Sequence, residues 1–243
     1  MSNTSKSSEK IILALDSMDP NDSIRLVSSI PSLRWVKVGL ELFVHGGPEL
    51  LYLLREHGVR IFLDLKFHDI PTTMSKACCQ AARSGVDLIT VHACAGSKAL
   101  VAAKQGAIKG AMERNLPVPT LLAVTVLTSW NEQSFANELL MKQSIHKRVE
   151  LMAQLAVSAG MGGCICSPLE VAKLRQKHPD PFQLITPGIR LSGDSSHDQM
   201  RTMTPLEAVE AGASKLVVGR SITEAKSPFD AFHKICEELT PYS

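Results

Sequence analysis

Arg60–Ile61–Phe62–Leu63–Asp64–Leu65–Lys66, running into Phe67–His68–Asp69–Ile70–Pro71–Thr72–Thr73, is a short apolar run with charges set inside it. Side chains alternate faces along a strand, so Leu63 and Leu65 point one way while Asp64 and Lys66 point the other. The leucines suit a covering layer of helices. The two charges then face an interior, which makes the run both a strand and a candidate site. Runs of the same kind recur along the chain: Ile11–Asp16, Trp35–Leu40, Arg60–Leu65 itself, Asp87–His92, Thr120–Val126, Gly163–Cys166, Phe182–Thr186 and Lys215–Val218. Most are rich in Val, Ile and Leu with little alternation, the pattern of parallel strands covered on both faces. Helix-like segments separate them. Pro48 opens Glu49–His57 and Gly58 closes it; Ser97 is placed to cap Lys98–Arg114; Ser144 precedes Ile145–Ala159, which Gly160 ends; Pro168 and Pro205 sit at first-turn positions.

Eight strand candidates, each followed by a helix candidate, predict a single (β/α)8 TIM barrel of parallel strands over residues 11–243. Residues 1–10, polar and Ser-rich, read as a flexible lead-in without the apolar stretch of a secretion signal. The alternative, a doubly wound open sheet, usually carries a glycine-rich fingerprint after its first strand. Leu15–Asp16–Ser17–Met18 has none. At 243 residues one barrel accounts for the whole chain.

Composition narrows the function classes. Hydrophobic residues make up 44% and charged residues 21%, a globular balance that excludes extensive disorder. Twenty-six basic against twenty-four acidic residues leave a net charge of +2, which does not suggest a nucleic-acid binder. Apolar runs break off well short of the roughly 18–20 residues needed to cross a membrane, so no membrane partner is expected. The six cysteines form no CxxC pair and read as reduced core thiols, as in a cytoplasmic enzyme.

A barrel gathers its active site at the C-terminal ends of its strands. Run one brings Asp16 there, run two carries Lys37 between Val36 and Val38, and run three supplies Asp64 and Lys66. Two lysines and two aspartates converging on adjacent strand ends are a specific pattern, whose plainer reading is a structural ion-pair network. The second half offers a different chemistry. Run seven ends in Thr186–Pro187–Gly188–Ile189–Arg190 and run eight in Val218–Gly219–Arg220–Ser221. Loops after these two strands commonly hold phosphate in such barrels: glycine lets backbone N–H groups approach an anion, and arginine forks to its oxygens. The polar stretch Leu191–Gln199 between them reads as a lid, with Gln199 as an amide donor.

Other features read more plainly. His68 beside Asp69 resembles a metal pair, but neighbouring residues share no ligand direction on a regular element, and His45 and His92 lack partners at metal spacing; no metal is expected. Gly106 and Gly110 form a GxxxG on a Lys-bearing helix, for which close helix packing is sufficient explanation.

Taken together, Leu15–Asp16, Val36–Lys37–Val38–Gly39, Asp64–Leu65–Lys66–Phe67–His68–Asp69–Ile70–Pro71, Val124–Thr125–Val126–Leu127–Thr128–Ser129, Thr186–Pro187–Gly188–Ile189–Arg190 and Val217–Val218–Gly219–Arg220 resemble the orotidine 5′-phosphate decarboxylase family. The matches run in order from residue 11 to about residue 223. The resemblance implies removal of CO2 from orotidine 5′-phosphate to give UMP in de novo pyrimidine synthesis, without metal or organic cofactor. Lys66 matches the lysine that protonates C6, and Lys37, Asp64 and Asp69 match the rest of the charged array. Asp16 and Lys37 match ribose contacts, Thr128 the reader of the pyrimidine amide edge, and Pro187 a residue lining the pocket. Arg190, Gln199, Gly219 and Arg220 match the phosphate grip. The resemblance also implies a homodimer in which Asp69 and Thr73 reach the partner's site. Leu191 and Ser221 depart from it, standing where relatives often have proline.

Two rivals differ in chemistry. A sugar-phosphate decarboxylase, synthase or epimerase on the same barrel typically employs a divalent metal. A catalytically silent phosphate-binding barrel has no evident reason to keep costly buried charges.

Overall fold

The computed structural model describes residues 3–191 and 202–242. In chain order the elements are α1 (Asn3–Ser8), β1 (Ile11–Ala14), α2 (Pro20–Ser28), β2 (Trp35–Gly39), α3 (Leu40–Glu56), β3 (Arg60–Phe67), α4 (Pro71–Arg83), β4 (Leu88–His92) and α5 (Ser97–Met112). They continue with β5 (Thr120–Val124), α6 (Glu132–Glu138), α7 (Ile145–Ser158), β6 (Gly163–Ile165), α8 (Val171–Lys177), β7 (Gln183–Thr186), α9 (Pro205–Glu210), β8 (Lys215–Val218), α10 (Arg220–Thr223) and α11 (Pro228–Glu238). Each strand pairs in parallel with the next, and β8 pairs with β1 through Ile11↔Leu216 and Leu13↔Val218, so the sheet closes into a barrel. That closure rejects the open-sheet alternative.

Alternation divides the core in two. Odd-numbered positions of β1 and β3, such as Leu13, Ile61 and Leu63, are buried in the large cluster beneath the helices. Ile12, Ala14, Trp35, Phe62, Leu88, Leu122, Ile185 and Val217 fill the barrel instead. The same inward rows continue upward into Lys37, Asp64 and Thr90, all buried. A packed apolar plug thus carries a charged top.

Some boundaries differ from the sequence reading. The expected lead-in over 1–10 contains α1, and its Ser7 and Ser8 are fully buried. The helix expected to open at Pro48 already begins at Leu40. It kinks at Gly47, whose backbone is non-helical, and Pro48 restarts it. Ser97 is the first residue of its helix rather than the cap, a position taken by Gly96. The caps at Ser144 and the first-turn prolines Pro168 and Pro205 are as read.

The GxxxG brings α4 and α5 into close contact. A Cβ built on Gly106 would lie 2.0 Å from the Ser75 carbonyl oxygen, and one on Gly110 would lie 2.1 Å from that of Cys79. Both obstacles are backbone, so no rotamer change relieves them. Gly106→Ala should therefore force the two helices apart, at a cost of about 1–3 kcal/mol or more. Thermal unfolding should shift down by about 2–4 °C per kcal/mol in a chain of this size, and an unchanged midpoint would show that the contact is not that tight.

Candidate active site

The strand ends surround a cavity of about 620 Å³, a size suited to a small ligand. Phe62, Ile165 and Val217 from the barrel's apolar layer contribute to it, and Asp16, Lys37, Asp64 and Lys66 line one side. These four form a chain of alternating charge. Lys37 Nζ donates to Asp16 Oδ1 at 2.7 Å and lies 3.7 Å from Asp64 Oδ2, while Lys66 Nζ donates to the same Asp64 oxygen at 2.9 Å. Burial pushes the Asp64 carboxyl up, but the Lys37 and Lys66 ammonium groups, together with hydrogen bonds from Lys66 and Thr90, outweigh it. The carboxyl is held below the usual carboxylate range.

Local backbone makes this geometry possible. Gly39 leaves room for the pair: a Cβ there would stand 2.8 Å from Asp16 Oδ1 and 3.1 Å from Lys37 Nζ, so these side-chain ends would have to shift. Lys66 has φ of 50°, in the left-handed region that non-glycine residues seldom occupy. The β3–β4 register shifts between Leu63 and Phe67 to accommodate it. Asp64 and Lys66 do converge as read, but through a bulge rather than by simple strand alternation.

The same cavity also holds the second chemistry. Thr128, Pro187, Arg190, Gly219 and Arg220 all line it. Gly219 is the residue before α10, and Arg220 is the first residue of that helix. Arg190 N–H donates to the Met203 carbonyl and Met203 N–H to that of Gly188, which ties Gly188–Arg190 to Met203. Gln199, and the expected lid beyond Leu191, lie outside the described residues. Asp69 and Thr73 are exposed and do not line their own chain's cavity; Asp69 Oδ1 accepts the Ile70 N–H at 2.6 Å.

Sequence reasoning gives Thr90 no role, quotes Gly39 only within a motif and weighs His92 only as a metal ligand. Thr90 gave no signal because β-branched residues are ordinary in strands. His92 sits beside Lys66 on the barrel wall, its ring centroid 5.4 Å from that of His68. Burial first, then the His68 and Lys66 charges, lower its pKa despite Asp64, favouring the neutral ring. Among the described residues no three His, Cys, Asp or Glu side chains are grouped to hold a metal ion. Nor is any described helix long and apolar enough to cross a membrane.

Residues 9–235 match the profile of the orotidine 5′-phosphate decarboxylase / HUMPS family. The chain belongs to this family. Within the orotidine 5′-phosphate decarboxylase / HUMPS family, it is 58% identical over 234 residues to a Prochlorococcus marinus protein named orotidine 5′-phosphate decarboxylase, covering 96% of this chain and 98% of that one. A Synechococcus protein of the same name is 56% identical over 237 residues, covering 98% of each. Among solved structures, orotidine 5′-phosphate decarboxylase from Lactobacillus acidophilus superposes with a TM-score of 0.83 at 38% identity, covering 95% of this chain and 99% of that one.

Proposed function

We propose that the chain decarboxylates orotidine 5′-phosphate to UMP and CO2 in pyrimidine synthesis, using neither metal nor organic cofactor. The observation that carries this reading is the buried Asp64 carboxylate held between two ammonium groups in a cavity that Arg190 and Arg220 also line.

Loss of CO2 leaves an electron pair on a ring carbon with no electron sink, so a fixed cation beside that carbon stabilises the transition state. Lys66 supplies the cation and then its proton: the C–CO2 bond breaks, its electrons remain on C6, and the Lys66 ammonium transfers H⁺ to form the C6–H bond. Asp64 and Lys37 fix the orientation of Lys66, and Asp16 and Lys37 face the ribose hydroxyls. Thr128 reads the pyrimidine amide edge and Pro187 packs against the ring. Arg190, Gln199, Gly219 and Arg220 hold the phosphate. Asp69 and Thr73 act in the site of a second copy of the chain, which makes the working form a homodimer. The cytoplasm, where nucleotide precursors are made, is its proposed location.

Phosphate is remote from the breaking bond, yet its binding energy orders the site around the pyrimidine. Arg220→Ala should therefore reduce kcat/KM on orotidine 5′-phosphate by the worth of a charge-assisted contact, about 1.5–3 kcal/mol, while leaving the slow reaction of the unphosphorylated nucleoside nearly unchanged. Equal losses on both substrates would place Arg220 elsewhere. The function itself is tested by following the absorbance of orotidine 5′-phosphate with and without a chelator. Turnover indifferent to the chelator supports the reading, turnover that needs added metal favours a metal-dependent sugar-phosphate barrel, and no turnover leaves a binding module.

A further inference from the structure

The β3–β4 ladder contains a mismatch at the candidate site. Leu63 pairs with Ile89 and Phe67 with Val91, so Asp64, Leu65 and Lys66 face a single residue on β4, Thr90. A regular ladder would offer Lys66 N–H a backbone carbonyl, whereas here the N–H donates to Thr90 Oγ1 at 2.8 Å. The same hydroxyl donates onward to Asp64 Oδ1 at 2.9 Å. Thr90 is fully buried. Its one proton goes to a carboxylate that can only accept, and its lone pair takes the N–H, so both of its roles are fixed. Asp64 is thereby gripped at both oxygens, Oδ1 by Thr90 and Oδ2 by the Lys66 ammonium.

We propose that Thr90 is a positioning residue for the decarboxylation, its hydroxyl holding the left-handed Lys66 backbone and the Asp64 carboxylate in one closed ring of hydrogen bonds. This rests on the reading of Lys66 and Asp64 given under Proposed function. Thr90 faces the array from β4 without lining the cavity. It acts through the orientation of Lys66, not by touching substrate. An L-residue at φ of 50° persists only where its surroundings over-determine it. The Thr90 hydroxyl supplies that constraint at the one place where the ladder cannot.

Thr90→Val keeps the shape and removes both hydrogen bonds, leaving the Lys66 N–H and Asp64 Oδ1 without this partner. A small misplacement of a proton donor is enough to cost about 10–100-fold in rate. The Val variant should lose that much kcat on orotidine 5′-phosphate, while KM and the affinity for UMP stay within about threefold, because phosphate and base contacts are untouched. Thr90→Ser retains the hydroxyl and should restore kcat to within about threefold of wild type. Should the Val variant not fold, Thr90→Cys serves, its thiol being a weak donor and acceptor, with kcat expected well below that of the Ser variant at unchanged KM. A folded Val variant with wild-type kcat overturns the proposal. So do equal losses in the Val and Ser variants, a parallel fall in kcat and UMP affinity, or a Cys variant equal to Ser. Wild-type protein and Lys66→Ala are assayed alongside. An inactive wild type overturns the functional reading and this proposal together, whereas an active wild type with an unaffected Val variant overturns the proposal alone.

Discussion

Lys66→Ala should abolish nearly all turnover, a loss of about 10³-fold or more, while the folded protein still binds UMP within a few-fold of wild type. The ammonium is asked for two things at once, stabilising charge as it develops on C6 and delivering the proton, and each alone is commonly worth about 10²-fold or more. Ground-state binding depends on other groups. Arg190, Arg220 and Thr128 line the same cavity and are untouched by the change. The variant is also expected to fold, because Asp64 keeps Lys37 at 3.7 Å and the Thr90 hydroxyl at 2.9 Å as partners. Lys66 itself is about a third exposed, so its removal leaves no deeply buried hole. Isothermal titration with UMP and a single-turnover assay check both halves. Wild-type-like turnover in folded Lys66→Ala protein would remove the lysine from the chemistry.

Two inactive variants should also rescue one another. Asp69 and Thr73 are exposed at the start of α4 and absent from the lining of their own chain's cavity, which motivates the proposal that they serve a second copy. Lys66→Ala and Asp69→Ala homodimers would then each be nearly silent. In a mixed dimer, one site collects both defects and the other collects neither. Random exchange makes about half of the dimers mixed, each with one intact site of two, so roughly a quarter of wild-type activity should return. The check is to mix the two proteins, establish subunit exchange by mass spectrometry of tagged chains, and assay. Exchange without any recovery would place Asp69 in the service of its own chain.

What the sequence discloses, and what it withholds, follows from the kind of physics involved. Runs such as Ile11–Asp16 and Lys215–Val218 are legible because a strand covered on both faces must be apolar throughout, and eight of them alternating with helices close into the barrel observed. Lys37, Asp64 and Lys66 are legible because charge inside such a run demands a reason. The bulge is not legible, since lysine has no preference for left-handed backbone and nothing in Leu65–Lys66–Phe67 marks one. Thr90 is hidden for a related reason: its hydroxyl matters only because the ladder fails opposite it. The early start of α3 is not legible because Pro48 reads as a helix's first turn, whereas buried Leu42 ahead of it and Leu50, Leu51 and Leu54 behind it anchor both halves of the kinked helix. Gly39 resembles any strand-end glycine until Asp16 and Lys37 are seen to meet beside it.

The central claim is that this array removes the carboxylate from the ring and replaces it with a proton at the same carbon. Orotidine 5′-phosphate labelled with ¹³C in its carboxylate, incubated with chelator-treated protein and followed by NMR, tests it directly. The account predicts labelled CO2 and bicarbonate appearing in step with the C6–H proton signal of UMP, and both signals slowed by about 10³-fold or more with Lys66→Ala. Substrate that persists unchanged, or is consumed while the label stays on the ring, would contradict it.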